Sequence, residues 1–413
     1  MRTIIRNIKG LAGVETDKRA IAVCGKDMDN LNIINDAYLI CNNGKFECFG
    51  RMTELDKEQN FDFDFDADNG YVLPSFCDSH THLVYKGSRE IEYIDKIKGL
   101  SYEEIAKRGG GILNSAERLR SASEQELFED AYVRIEEIKC LGTGAVEIKS
   151  GYGLNTESEL KMLRVIRRLK EECDIVIKAN FLAAHAFPLE YKGNPNGYVD
   201  LIVNEMLPRV ADEGLADYVD VFCDRGFFTT EQTERILLEA LQYNLIPKIH
   251  ANELDFSGGV ETGVKYNALS VDHLEYIGER QIEVLKASQT MPTILPGAAF
   301  FLNMKLSPAR EMINAGLPIA MASDFNPGSS PSGNMQLILS FACINYKLTP
   351  FEAINATTLN TAYAMGISNT HGTIAAGKVA NFYITKKIPS IEYMPYYYGS
   401  NKIKEIFING IKH

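Results

Sequence analysis

From Val72 onward the chain repeats one pattern. A short apolar run is followed by a longer, charged, amphipathic stretch, and eight such runs occur: Val72–His82, Gly144–Ser150, Val176–His185, Tyr218–Asp224, Ile246–Ala251, Leu269–Leu274, Thr290–Leu295 and Ile319–Asp324. Strands that alternate with helices pair in parallel, because a parallel neighbour is reached only through a crossover long enough to hold a helix. The intervening stretches carry helix signals. "SASEQELFEDAYVRIEEIKCLG" closes at Gly142, and in "NTESELKMLRVIRRLKEE" Thr156 can cap with Glu159 three residues on. Eight strands in this alternation predict an α/β, TIM-like (β/α)8 barrel.

The flanks read differently. Up to about residue 70 the chain is strand-rich, and Asn43-Gly44 between two apolar runs marks a hairpin. In "FDFDFDAD" apolar and acidic residues alternate with the period of a strand, which predicts one solvated acidic face more readily than a cation site. Strand-like pieces return after Gly372 in "GTIAAGKVANFYITKK" and "IKEIFINGIKH". The expected architecture is therefore a small β-sandwich built from residues 1–70 and 372–413, with the barrel, residues 71–371, inserted between its halves.

The chain holds seven histidines, and five of them stand at ends of the predicted barrel strands: His80, His82, His185, His250 and His273. Asp324 ends the eighth. The C-terminal ends of barrel strands are where active sites form. His80 and His82 are two apart, so they point the same way while Thr81 points away. Neutral imidazoles with a carboxylate suit Zn²⁺ or iron, and His80, His82, His250 and Asp324 are the expected ligands of one divalent metal ion. Such an ion would bring the pKa of a bound water toward about 7 and polarise a carbonyl. Glu253, three residues after His250, is a candidate proton carrier if its loop turns back over the site, and a surface carboxylate if not. His273 is expected to support the ligands or the transition state rather than join them. Asp324 could also act as a base. "DYVDVFCDRG" offers no lysine to bridge a second ion, and Lys248, deeper than His250 on the same face, is expected in a structural ion pair.

Other classes are disfavoured. A net charge of −12 repels phosphate backbones, so a nucleic-acid partner is not expected. No run of about 18 apolar residues predicts a membrane span, and "MRTIIRNIKG" lacks a signal-peptide core. The eight cysteines are scattered without a C-x-x-C pair, as in reduced cytoplasmic proteins.

The H-x-H of the first run, the histidines ending the fifth and sixth and the aspartate ending the eighth resemble the amidohydrolase superfamily. "HTHLVYKGSRE", "SYEEIAKRGGGI", "VEIKSGYGLNTESELKML", "AAHAFPLEY", "DVFCDRGFF", "KIHANE", "SVDHLE", "LPGAAFFL" and "SDFNPGSSP" narrow the resemblance to its branch that opens the ring of 4-imidazolone-5-propanoate to N-formimidoyl-L-glutamate in histidine degradation. That resemblance covers nearly the whole chain. It implies a cytoplasmic homodimer acting on a small molecule, with Arg89, Tyr152, His185, Glu253, Asn326, Gly328 and Ser329 binding substrate and Glu253, His273 and Asp324 serving catalysis. Arg89 could hold a propanoate through two parallel hydrogen bonds, and the "NPGSS" loop could offer backbone N–H groups to an anion. The alternatives are an aminopurine or cytosine deaminase and a metal-bearing barrel without catalysis. Cys77-Asp78-Ser79 before His80 and Asn381 in "GKVANFYI" depart from the usual pattern of the branch.

Overall fold

The computed structural model describes residues 1–16, 20–56, 58–100 and 111–413, so most of the "SYEEIAKRGGGI" motif lies outside the described residues. Among the described residues the strands form two sheets of eight. The first contains β1 (Arg2–Ala12), β2 (Ile33–Asn42), β3 (Lys45–Arg51), β4 (Phe63–Asp66) and β5 (Tyr71–Pro74). The second runs in chain order through β6 (Phe76–Thr81), β7 (Thr143–Lys149), β8 (Val176–Ala184), β9 (Tyr218–Cys223), β10 (Ile246–Ala251), β11 (Ser270–His273), β12 (Met291–Ile294) and β13 (Ala320–Met321). Then β14 (Phe382–Thr385), β15 (Ile403–Ile408) and β16 (Ile411–Lys412) return to the first sheet.

All neighbours from β6 to β13 pair in parallel. The ring closes beyond the last strand. Thr81 bridges Phe325, the Asp324 N–H donates to the His80 carbonyl at 3.0 Å and the His82 N–H donates to the Phe325 carbonyl at 2.9 Å. Deeper down, the Asp78 carboxylate accepts from the Ser323 N–H at 3.0 Å and from its hydroxyl. The unusual Asp78 is therefore a staple across the seam.

In the small sheet β1 pairs with β2 along one edge, and along the other with β4 at its start and β5 at its end. β5 continues through β14 to β15. Phe65 on β4 meets Phe407 on β15 with ring centroids 5.2 Å apart, so the sheet folds over an apolar interior that includes Ile5, Leu39, Val72, Phe382 and Phe407. Asn43 and Gly44 both take positive φ between β2 and β3, as the hairpin signal requires. The acidic face of "FDFDFDAD" is solvated: Asp64 pairs with Arg6 at 2.9 Å.

Two expectations need correction. The run Val72–His82 is two strands in two sheets. Pro74 offers no N–H, the Ser75 N–H donates to Asn381 and the next, that of Phe76, to Gly142, so the chain changes partners at Ser75. The small sheet therefore keeps the chain to Pro74 rather than residue 70. Asn381 joins the sheets as well, donating to the Gly144 carbonyl at 3.1 Å, which the more usual aspartate could not do. The second correction is the helix Thr156–Glu172. Its N-cap is Asn155, which accepts from the Ser158 N–H, and Glu159 is turned into the protein instead of back to the cap. Among the described residues no helix is long and apolar enough to cross a membrane.

Candidate metal centre and active site

His80 on β6, His82 just past it and His250 on β10 each offer a nitrogen within 4.8 Å of the others, and all three side chains are buried. Asp324, past β13, places Oδ1 3.6 Å from Nε2 of both His80 and His82. Asp324 holds φ at 53° and His273 at 84°, uncommon values for side-chain-bearing residues that cost on the order of 1–3 kcal/mol each. Such strain persists where surrounding contacts fix the backbone for a purpose.

The tautomers are set from behind. His80 Nδ1 lies 2.6 Å from Asp272 and His250 Nδ1 lies 3.0 Å from Asp220. Each Nδ1–H donates to its carboxylate, which leaves Nε2 with a lone pair. Both Nε2 atoms are buried with no protein partner. Burial pushes the pKa of His80 and His82 well below the usual range, helped by Lys149 and by His185 respectively. Orphaned imidazole nitrogens converging beside a carboxylate are the donor set that a divalent cation requires, so these residues fit one.

Beneath them lies a layer of buried charge. Lys149 Nζ touches Glu147 at 2.6 Å and Asp220 at 2.7 Å, and stands 3.9 Å from Asp272. Lys248 pairs with Glu147 and donates to the Ser79 and Ala364 carbonyls at 3.1 and 3.3 Å. The expected structural ion pair of Lys248 therefore has a partner. Burial alone would raise the Asp220 pKa, but His250 and Lys149 outweigh it and hold the carboxylate ionised.

Above the histidines opens a cavity of about 430 Å³. Asn252, at positive φ after β10, turns the chain so that Glu253 faces this space instead of solvent. Burial, then the charges of Asp324 and Asp224, raise the Glu253 pKa from 4.5 to about 8. His273 Nδ1 lies 3.7 Å from Glu253 and 3.9 Å from the fully buried Glu275.

The cavity wall includes Arg89, Lys96, Tyr152, His185, Asn326, Gly328 and Ser329. His185 stacks on His82 at 5.2 Å and donates from Nδ1 to the Gly151 carbonyl at 3.1 Å. Burial and then His250 lower its pKa to about 3, so it is neutral. Two of these groups are also engaged within the protein. The guanidinium of Arg89 already bonds Glu92 through Nε at 2.8 Å and Nη2 at 2.6 Å, so its Nε–Nη2 edge is taken and its Nη1 end faces the cavity wall at Gly328. The N–H groups of Gly328 and Ser329 donate to Asn326 Oδ1 at 2.7 and 2.8 Å, so the "NPGSS" loop is closed on itself. The Ser329 hydroxyl is 3.3 Å from Asp324 Oδ2, which ties the loop to the carboxylate.

Eleven of the twelve expected site residues thus line one cavity, and His80 lies buried beneath it against His82 and His250. His371 and His413 stand apart, against Thr370 and Asp174. Sequence reasoning missed Asp220, Asp272, Lys149, Glu147, Glu92, Lys96 and Glu159. The alternation rule alone could have found Asp220 and Asp272, which lie on strands and face the barrel interior.

Residues 71–412 match the model of the amidohydrolase family. Over 410 residues the chain is 52% identical to an imidazolonepropionase of Christiangramia forsetii and 53% identical to one of Flavobacterium johnsoniae, covering 99% of each chain in both cases. An imidazolonepropionase of Thermoanaerobacter pseudethanolicus is 42% identical over 383 residues, 93% of this chain and 91% of that one. Among solved structures, a triazine hydrolase variant superimposes with a TM-score of 0.76 at 15% identity, covering 100% of this chain and 94% of the other. Guanine deaminase of E. coli does so with a TM-score of 0.75 at 14% identity, covering 100% and 98%. These structural likenesses speak for the fold.

Proposed function

We propose, from the premise that this chain belongs to the amidohydrolase family and within it to the imidazolonepropionases, that it hydrolyses 4-imidazolone-5-propanoate to N-formimidoyl-L-glutamate, a step of histidine degradation. The observation that carries the reading is one cavity with a hydrolytic floor and a wall that includes Arg89 and Lys96. His80, His82, His250 and Asp324 lie at its base, and Arg89 stands at its side.

The bond to be broken is a cyclic amide. His80, His82, His250 and Asp324 would hold one divalent ion, zinc or iron. When bound, that ion supplies Lewis acidity, which activates a water and polarises the substrate carbonyl. The chain's own groups do the rest. Glu253 accepts a proton from the attacking water as the new C–O bond forms at the carbonyl carbon. His273 donates a hydrogen bond to the oxygen that gains charge. As the C–N bond breaks, Glu253 returns the proton to the ring nitrogen, and Asp324 shares in this transfer. Tyr152 and His185 orient the ring. Ser329 and Asn326 hold Asp324, Gly328 lets Arg89 lie close, and Arg89 faces the propanoate. The eight free thiols suit a cytoplasmic enzyme, and the family resemblance supports a homodimer.

A direct assay tests this. Purified protein with its metal content measured should convert 4-imidazolone-5-propanoate and leave guanine and cytosine intact. Turnover of a nucleobase alone would establish a deaminase. Absence of both metal and chelator-sensitive hydrolysis would leave a non-catalytic barrel.

A further inference from the structure

The Arg89 guanidinium bonds Glu92 through two nitrogens, and the two side chains are only 12% and 11% exposed. Seen from the cavity this is a neutral pair, with little net attraction for an anion. Among the described contacts Nη1 and the second N–H of Nη2 remain for a substrate. Nη1 lies over Gly328, where an added Cβ would stand 2.2 Å from it.

A second cation lines the same cavity. Arg89 caps the helix Glu90–Ile97, and Lys96 lies one turn beyond Glu92 on the same face. Lys96 is half-buried, and among the described residues it has no ion-pair partner. Burial, then the charge of Arg89, pushes its pKa down, with Glu92 opposing. A cation held half out of water is costly unless something negative joins it.

We propose that Lys96 is a substrate-binding residue whose ammonium pairs with the propanoate carboxylate beside Arg89 Nη1. Glu92 balances Arg89, and the substrate's carboxylate balances Lys96. The cavity therefore selects an acid through Lys96, while the Arg89–Glu92 pair fixes where that acid lies. The inference rests on the reading of the substrate as a small carboxylic acid.

The test uses full-length, metal-loaded protein and two variants, Lys96→Met and Lys96→Arg. Two readouts are taken: KM for 4-imidazolone-5-propanoate, and the calorimetric Kd of the unreactive acid 3-(imidazol-4-yl)propanoate and of its carboxamide. Lys96→Met should raise KM and the Kd of the acid by about ten- to a hundredfold, the size of a lost charged hydrogen bond. The fall in kcat should be smaller, metal content should hold, and carboxamide binding should hold. Lys96→Arg should restore most of the affinity. Acid binding by Lys96→Met within twofold of the parent, or equal weakening for acid and carboxamide, overturns the proposal. If the parent protein binds the acid through Lys96 but does not turn over 4-imidazolone-5-propanoate, the proposed reaction fails and the role of Lys96 stands.

Discussion

Asp272 Oδ2 lies 2.6 Å from Nδ1 of His80, and neither side chain has any solvent exposure. The Asp220–His250 pair repeats the arrangement at 3.0 Å. Both carboxylates fix which imidazole nitrogen keeps its lone pair, and Lys149 stands between them. Removing either should therefore act on the metal before it acts on the substrate. Asp272→Ala and Asp220→Ala are expected to weaken metal affinity by about 10–100-fold, measured by competition with a chelator. Unchanged affinity with lost activity would place these carboxylates in the reaction instead.

The proton carrier has a pH signature. Glu253 must be ionised to accept a proton from water, and its pKa is raised by burial and by Asp324 and Asp224 from 4.5 to about 8. A raised value means that the carboxylate form is lost as pH falls through the folded value, well before an ordinary glutamate would be protonated. A nearby divalent cation pulls the value back toward neutrality. The kcat/KM profile should therefore fall on its acid side at a pH above 4.5 and no higher than about 8. Glu253→Gln should lower kcat by about 10²–10⁴-fold, abolish that acid limb and retain metal. An intact limb in this variant would assign the proton to another group.

Gly328 tests the position of Arg89. A Cβ there would meet Nη1 at 2.2 Å, and the guanidinium cannot retreat without breaking its bonds to Glu92. Gly328→Ala should raise KM about tenfold, near the cost of one hydrogen bond, while metal content and folding hold. Arg89→Ala should raise KM further, because it leaves the Glu92 carboxylate facing an anionic substrate. If KM responds to neither change, the acid binds elsewhere.

The parts legible in the sequence share a local signal. His80, His82, His250, His273 and Asp324 each end an apolar run, so position in the barrel follows from the run itself. Asn43-Gly44 is legible because a two-residue turn is local chemistry. What escaped depends on distant pairing. Asp272 meets His80 across 192 positions of sequence, and Lys149 meets Asp220 across 71. The break at Ser75 was hidden because Tyr71–Pro74 and Phe76–Thr81 are both apolar and only their hydrogen-bond partners differ. Arg89 was read without Glu92 because no spacing rule shows which cation is already neutralised. Glu159 was misread for the opposite reason. A local capping signal was present at the right spacing, and a buried loop took its carboxylate instead.

That carboxylate supports the last prediction. Glu159 has no solvent exposure and accepts the N–H groups of Gly151, Gly153 and Leu154 at 3.0, 2.7 and 2.9 Å. Tyr152 lies inside this clasp, and the Gly151 carbonyl holds His185. One side chain thus positions two groups of the cavity wall without touching the cavity itself. Glu159→Ala would orphan three buried donors at about 1–3 kcal/mol each, so thermal unfolding should move to markedly lower temperature. Glu159→Gln keeps the shape and one carbonyl acceptor, and should fold. In that variant the loop is held by fewer bonds, so KM should rise severalfold, kcat should change less, and metal content should remain full. A structural role alone would lower stability and leave KM where it was. A KM that moves with the number of bonds left to the loop, from the parent through Glu159→Gln to Glu159→Ala, would show that Glu159 positions Tyr152 and His185.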